Sequence, residues 1–164
     1  VSSVIIVSDT TPLSELAKIG KVALLSNIFG KVIIPDEVAN EIAAANNSLV
    51  TAVLLQKHNF ELRSVSNPQK VLDLFHNTKL DLGECAAILL AEELQADQLL
   101  IDDLAARKEA QKRGLPMIGT VGILVIAKQQ GLITSVKEVL DELIANGTRI
   151  SQTLYQQALT IAGE

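Results

Sequence analysis

Five acids stand where the chain around them is apolar or where a strand pattern gives way to a helix pattern. Asp9 closes the run Val4-Ile5-Ile6-Val7-Ser8, and Asp102 and Asp103 close Leu99-Leu100-Ile101. Glu41 lies within a helical stripe made by Val38, Ile42 and Ala45, and Glu84 heads an almost wholly apolar helix in line with Ala87, Ile88 and Ala91. Each has an ordinary structural use. Asp9 or Thr11 can cap the helix that follows. Asp81 and Glu84 are spaced as a capping box. Asp102 and Asp103 can cap a helix, and Glu41 can lean into solvent. If the fold gathers them instead, anions within about 4–6 Å of one another repel and raise each other's pKa. A hard divalent cation, Mg²⁺ or Mn²⁺, relieves that repulsion and leaves places for water and phosphate. Two such ions about 3.5–4 Å apart can activate a water and stabilise the leaving oxygen of a phosphodiester. Ser8, Thr10, Ser14 and Thr120 are hydroxyls suited to hold metal-bound water or phosphate around such a centre.

The elements that must position these acids read as follows. Val4 to Val7 is a strand buried on both faces, as central strands of parallel sheets are. A carboxylate at its carboxyl end sits where open α/β sheets keep their ligands. A helix follows around Pro12 and stops at Gly20, and a shorter one runs from Val22 to Phe29. Val32 to Pro35 is a second buried strand, and Asp36 opens the helix that carries Glu41. Asn46-Asn47-Ser48 breaks that helix, and Leu49 to His58 reads as another. Phe60 to Val65 reads as an edge strand. Helices are expected from Gln69 to His76, through Leu94 behind Asp81, and from Leu104 to Arg113. Strands are expected at Leu99–Ile101 and Met117–Ile118. Three helices finish the chain, the second with Ser135 and Glu138 spaced as a capping box. Its stripe Val136, Val139, Leu140 and Leu143 is expected to pack onto the chain's own sheet rather than a partner. Alternation of this kind means α/β with a mostly parallel sheet.

At 164 residues, 48% of them hydrophobic, a substantial core is expected within one domain over 1–164, with a helical segment from about 121 to 164. No apolar run approaches the roughly 18 residues of a membrane span. The lone Cys85 rules out an internal disulfide or a thiolate zinc site, and these features point to the cytoplasm. A net charge of −5 argues against a broad basic surface, although four acids neutralised on metal would take it to −1. With aromatics at 2%, base reading by stacking is not expected.

Ser8-Asp9-Thr10-Thr11-Pro12-Leu13, Pro35-Asp36-Glu37-Val38-Ala39-Asn40-Glu41, Leu82-Gly83-Glu84 and Ile101-Asp102-Asp103, in this order, resemble the PIN-domain family. They are most similar to a bacterial and archaeal subgroup like the VapC-type toxins. The resemblance implies a three-layer α/β/α fold with strand order 3-2-1-4-5. It implies Mg²⁺- or Mn²⁺-dependent ribonuclease activity through Asp9, Glu41, Glu84 and an Asp of the 102/103 pair. It also implies a homodimer held by a small antitoxin protein. Glu84 stands where many relatives carry Asp. Asp103 matches the usual position, and Asp102 is an extra acid.

Arg107, one helical turn beyond Asp103, is placed to bind substrate phosphate or to pair with that Asp. Lys108, Lys112 and Arg113 share its helix and either steer RNA or form a solvated face. His58 and His76 are not placed together by any pattern, and Cys85 reads as a small core residue. The alternative to an enzyme is a non-catalytic PIN-fold module that binds RNA or protein. Phosphoryl-transfer folds are disfavoured: receiver domains want a second acid beside Asp9 and a Lys where Thr120 stands, and haloacid-dehalogenase phosphatases want an Asp at Thr11.

Overall fold

The computed structural model describes residues 4–45 and 59–164. The helix expected over Leu49–His58, the break before it and His58 itself lie outside the described residues. The strands are β1 (Ile6–Ser8), β2 (Val32–Pro35), β3 (Phe60–Arg63), β4 (Gln98–Leu100) and β5 (Met117–Ile118). All pair in parallel, in the order β3-β2-β1-β4-β5. Val7 is opposite Ile33 on one side and Leu99 on the other, which makes β1 the central strand.

The helices are α1 (Thr10–Lys18), α2 (Ala23–Phe29), α3 (Asp36–Ala44), α4 (Pro68–Asn77), α5 (Leu82–Leu94), α6 (Leu104–Lys112), α7 (Thr120–Gln129), α8 (Val136–Ala145) and α9 (Gln152–Ala162). The two-residue alternation of the strands sorts them into two layers. Ile6, Val32, Ile34 and Leu100 face a core completed by α1, α2, α3 and α7 to α9. Val7, Ile33 and Leu99 face a second core completed by α4, α5 and α6. The result is the three-layer α/β/α fold with the expected strand order.

β1 starts two residues later than its apolar run. Val4 is exposed, and the Ile5 backbone pairs with Asp97, whose carboxylate accepts from the Ile5 N–H at 2.7 Å. β3 is an edge strand and turns Leu62 outward. The stripe Val136, Val139, Leu140 and Leu143 is fully inside the first core, packed on the helices that cover the sheet. Ser135 caps α8 through the Glu138 N–H, but the reciprocal bond of the expected box is not made. The Glu164 carboxylate sits at the same helix start, accepting from Ser135 Oγ, the Val136 and Lys137 N–H groups and Lys128 Nζ. These donors hold its pKa down at about 2. Among the described residues no helix is long and apolar enough to cross a membrane.

Candidate metal centre and substrate groove

Asp9 follows the central strand, its N–H still on the sheet ladder through Leu100 O at 2.9 Å. It occupies the N-cap position of α1 yet makes no side-chain cap bond, and Thr11 is an exposed residue inside the helix. Asp9 is 2% exposed, and its Oδ1 has no hydrogen-bond partner among the described residues. Burying a carboxylate without a partner is costly and favours the protonated form. Its pKa is accordingly pushed up to about 8, first by burial and further by the charges of Asp81, Glu84 and Glu41, with the Thr10 N–H opposing. Capping therefore does not account for Asp9.

Glu41 projects from α3 and does not lean into bulk water. Its Oε2 accepts from Thr10 Oγ1 at 3.3 Å and lies directly over Gly83, where a Cβ would collide with it. Burial and the Asp81 charge raise its pKa. Glu84 does form the capping box: its N–H donates to Asp81 Oδ1 at 2.7 Å, and its Oε1 accepts from the Asp81 N–H at 2.9 Å. Burial, then the charges of Asp81, Asp103 and Glu41, bring its pKa to about 7 despite that bond.

The Asp102–Asp103 pair splits. Successive residues leaving a strand turn to opposite faces. Asp103 caps α6 through the Ala106 N–H at 3.0 Å and acts on Glu84. Asp102 turns to the other face, where its two oxygens accept from the Thr120 N–H at 2.7 Å and Thr120 Oγ1 at 2.6 Å. Burial raises its pKa, and Thr120 and Arg107 counter this. Arg107 makes no ion pair with Asp103 and donates instead to Ile101 O at 2.9 Å. Gly119 permits this crowding: a Cβ there would stand 2.8 Å from Asp102 Oδ1 and 3.1 Å from Arg107 Nη1.

Asp9, Glu41, Glu84 and Asp103 are thus electrostatic neighbours, with Asp81 as a further acid that the sequence suggested only as a cap. The donors suit a hard cation, since all are carboxylate oxygens and one buried oxygen is unpartnered. They do not form a closed shell as they stand. Among the described residues no three acidic, imidazole or thiol groups converge enough to hold one ion. Local bonds keep them apart: Thr10 holds Glu41, the capping box holds Glu84, and α6 holds Asp103. Thr10 therefore stands beside the acids and Thr120 beside Asp102. Ser8 is fully buried and donates to the Asp9 carbonyl at 2.8 Å, so its hydroxyl is turned to the backbone.

Two cavities, of about 560 and 270 Å³, both reach Asp102 and share Asp102, Val121 and Leu154 in their walls. Arg107 lines the larger and Arg149 the smaller. No motif marked Arg149, which lies in the loop before α9 and is brought in only by the packing of the C-terminal helices. Elsewhere, Arg113 pairs with Glu109 and Glu92, and Lys112 with Glu109. His76 is exposed on α4, edge-on to Phe75. Cys85 is buried in the second core, and burial lifts its thiol to about 11.

A family model described as a PIN domain, DUF3368, matches residues 5–164. No curated protein matches the sequence. Four solved chains match. One is a PilT N-terminus domain protein from the hyperthermophilic archaeon Sulfolobus solfataricus P2. It is 16% identical with a TM-score of 0.54, over 90% of this chain and 99% of that one. At that identity the likeness is one of fold.

Proposed function

The chain belongs to the PIN-domain family, over residues 5–164, and from that premise we propose that it is a divalent-metal-dependent ribonuclease. The observation that carries the reading is Asp9, a buried carboxylate with an unpartnered oxygen at the end of the central strand, among three other acids. Asp9, Glu41, Glu84 and Asp103 would hold Mg²⁺ or Mn²⁺, with Asp102 kept to the side by Thr120. When bound, the ion supplies the charge that favours a hydroxide from water and stabilises the leaving oxygen of a phosphodiester.

The chain's own residues do the rest. The sheet ladder fixes Asp9, and its burial keeps competing water away. Thr10 orients Glu41 over the small Gly83. The α5 cap sets the position of Glu84, and the α6 cap that of Asp103. Arg107, tied to the Ile101 carbonyl by one N–H, presents its remaining donors to a phosphate. The likeness to VapC-type toxins extends the proposal to a cytoplasmic homodimer restrained by a small antitoxin protein.

Cleavage of single-stranded RNA with Mg²⁺ or Mn²⁺, wild type against Asp9→Asn, tests the reading. Activity is expected to fall by about 100-fold or more, the size of effect seen when a group acting on the transition state is removed. Equal cleavage by the two proteins would remove Asp9 from the mechanism. A second reading, a non-catalytic PIN-fold module that binds RNA or protein, is favoured by the acids not converging on one point. It predicts no Mn²⁺ binding by calorimetry and no cleavage by either protein.

A further inference from the structure

We propose that the two cavities beside Asp102 form one trough at the carboxyl ends of β4 and β5 that carries the RNA strand, with Arg107 and Arg149 each taking a backbone phosphate. This rests on the ribonuclease reading and extends it by naming the strand's path and a substrate-binding residue, Arg149. Three observations support it. The cavities share Asp102, Val121 and Leu154 as wall residues, and an arginine lines each. Among the described residues neither arginine has a carboxylate within ion-pair distance, whereas Arg113 and Lys112 on the nearby helix face are already paired. Of the two acids in the trough, Glu15 is paired with Lys18 at 3.0 Å and accepts from Thr148, while Asp102 accepts from Thr120 and has the Arg107 charge nearby.

On a chain of net charge −5, arginines outside any direct ion pair are where an anionic polymer gains most. The walls are apolar, with Leu104, Val121, Ile126 and Leu154 among them. Bases can rest against them without being read by stacking, because neither cavity is lined by an aromatic ring or a side-chain amide.

The test is binding of a fluorescein-labelled oligouridine to the full chain in EDTA, where no cleavage occurs, followed over a salt series. Arg107→Gln and Arg149→Gln are each expected to weaken binding several-fold. Each should also shallow the slope of log affinity against log salt by about 0.7, the value for one phosphate contact on a single strand. Lys108→Gln, exposed on α6 outside both cavities, is expected to change neither. Leu154→Glu, which puts an anion into the shared wall, is expected to weaken binding more than either arginine variant.

Equal losses for Lys108→Gln and Arg149→Gln mean diffuse attraction and overturn the trough while leaving RNA as substrate. Weaker binding at Arg149→Gln with an unchanged salt slope means a structural role and overturns it likewise. Arginine effects on labelled polyglutamate but not on RNA assign the trough to an acidic protein partner and overturn it. Absence of RNA binding by wild type, with or without Mg²⁺, overturns both the trough and the ribonuclease reading.

Discussion

At the scale of single residues, ordinary caps and functional acids look alike until their side-chain bonds are known. Asp9 and Asp103 both stand at N-cap positions, yet Asp103 bonds the Ala106 N–H and Asp9 bonds no helix donor. Asp102 bonds neither α1 nor α6, and both its oxygens accept from Thr120, the first residue of α7. That pairing is directly testable. Thr120→Val keeps the shape and removes the hydroxyl, leaving a partly buried carboxylate oxygen without its donor. The expected loss is about 1–3 kcal/mol in urea unfolding, and Thr120→Ser should recover most of it. A Val variant as stable as wild type would show that water replaces the hydroxyl freely.

At the scale of elements, the candidate site depends on how α3 meets α5. Gly83 in the first turn of α5 has no side chain, and the Glu41 carboxylate of α3 occupies that space. Glu41 is the end of a flexible side chain, so it can move aside. Gly83→Ala is therefore expected to fold, gaining up to about 1 kcal/mol of helix propensity. The added methyl would displace the Glu41 carboxylate, so Mn²⁺ affinity should drop at least tenfold by calorimetry while the melting temperature holds or rises. Unchanged affinity would exclude Glu41 from the centre. α5 carries a second dependence, because the bond that finishes its N-terminus also restrains Glu84.

At the scale of the whole molecule, the cluster of acids makes stability depend on pH in a particular direction. Asp9 goes from an ordinary 3.8 to about 8 on folding, and Glu84 from 4.5 to about 7. Folding therefore holds protons that the unfolded chain releases. The stabilisation from both is complete below about pH 4 and is lost as pH rises through 7 to 8. In EDTA the melting temperature is expected to fall by several degrees between pH 5 and 9, at roughly 2–4 °C per kcal/mol for a chain of this size. Asp9→Asn should flatten that fall and melt higher than wild type at pH 9, while the two agree more closely at pH 5. Mg²⁺ should restore the wild type at high pH by binding only the folded state. Parallel curves for the two proteins would show that Asp9 ionises without penalty. The Glu164 carboxylate, held near 2, contributes in a separate window, present above pH 4.5 and lost as pH falls from there to about 2.

Much of this was legible in the chain itself. Runs such as Ile5-Ile6-Val7 and Leu99-Leu100-Ile101, separated by helical stripes, specify parallel strands because covering both faces of a sheet requires unbroken apolar runs. The same local rules placed the acids at strand ends and helix starts, since those patterns span only a few residues. What local pattern does not contain is direction across the fold. Asp102 and Asp103 are neighbours in sequence but face opposite layers. Asp81 acts on Asp9 only through the placement of α5 beside α3 and β1. Arg149 comes to line a cavity, and Glu164 to bind the start of α8, only through the packing of the C-terminal helices. Which oxygens remain unpartnered and which charges share a space depends on contacts between residues far apart in the chain, and tertiary packing alone decides those.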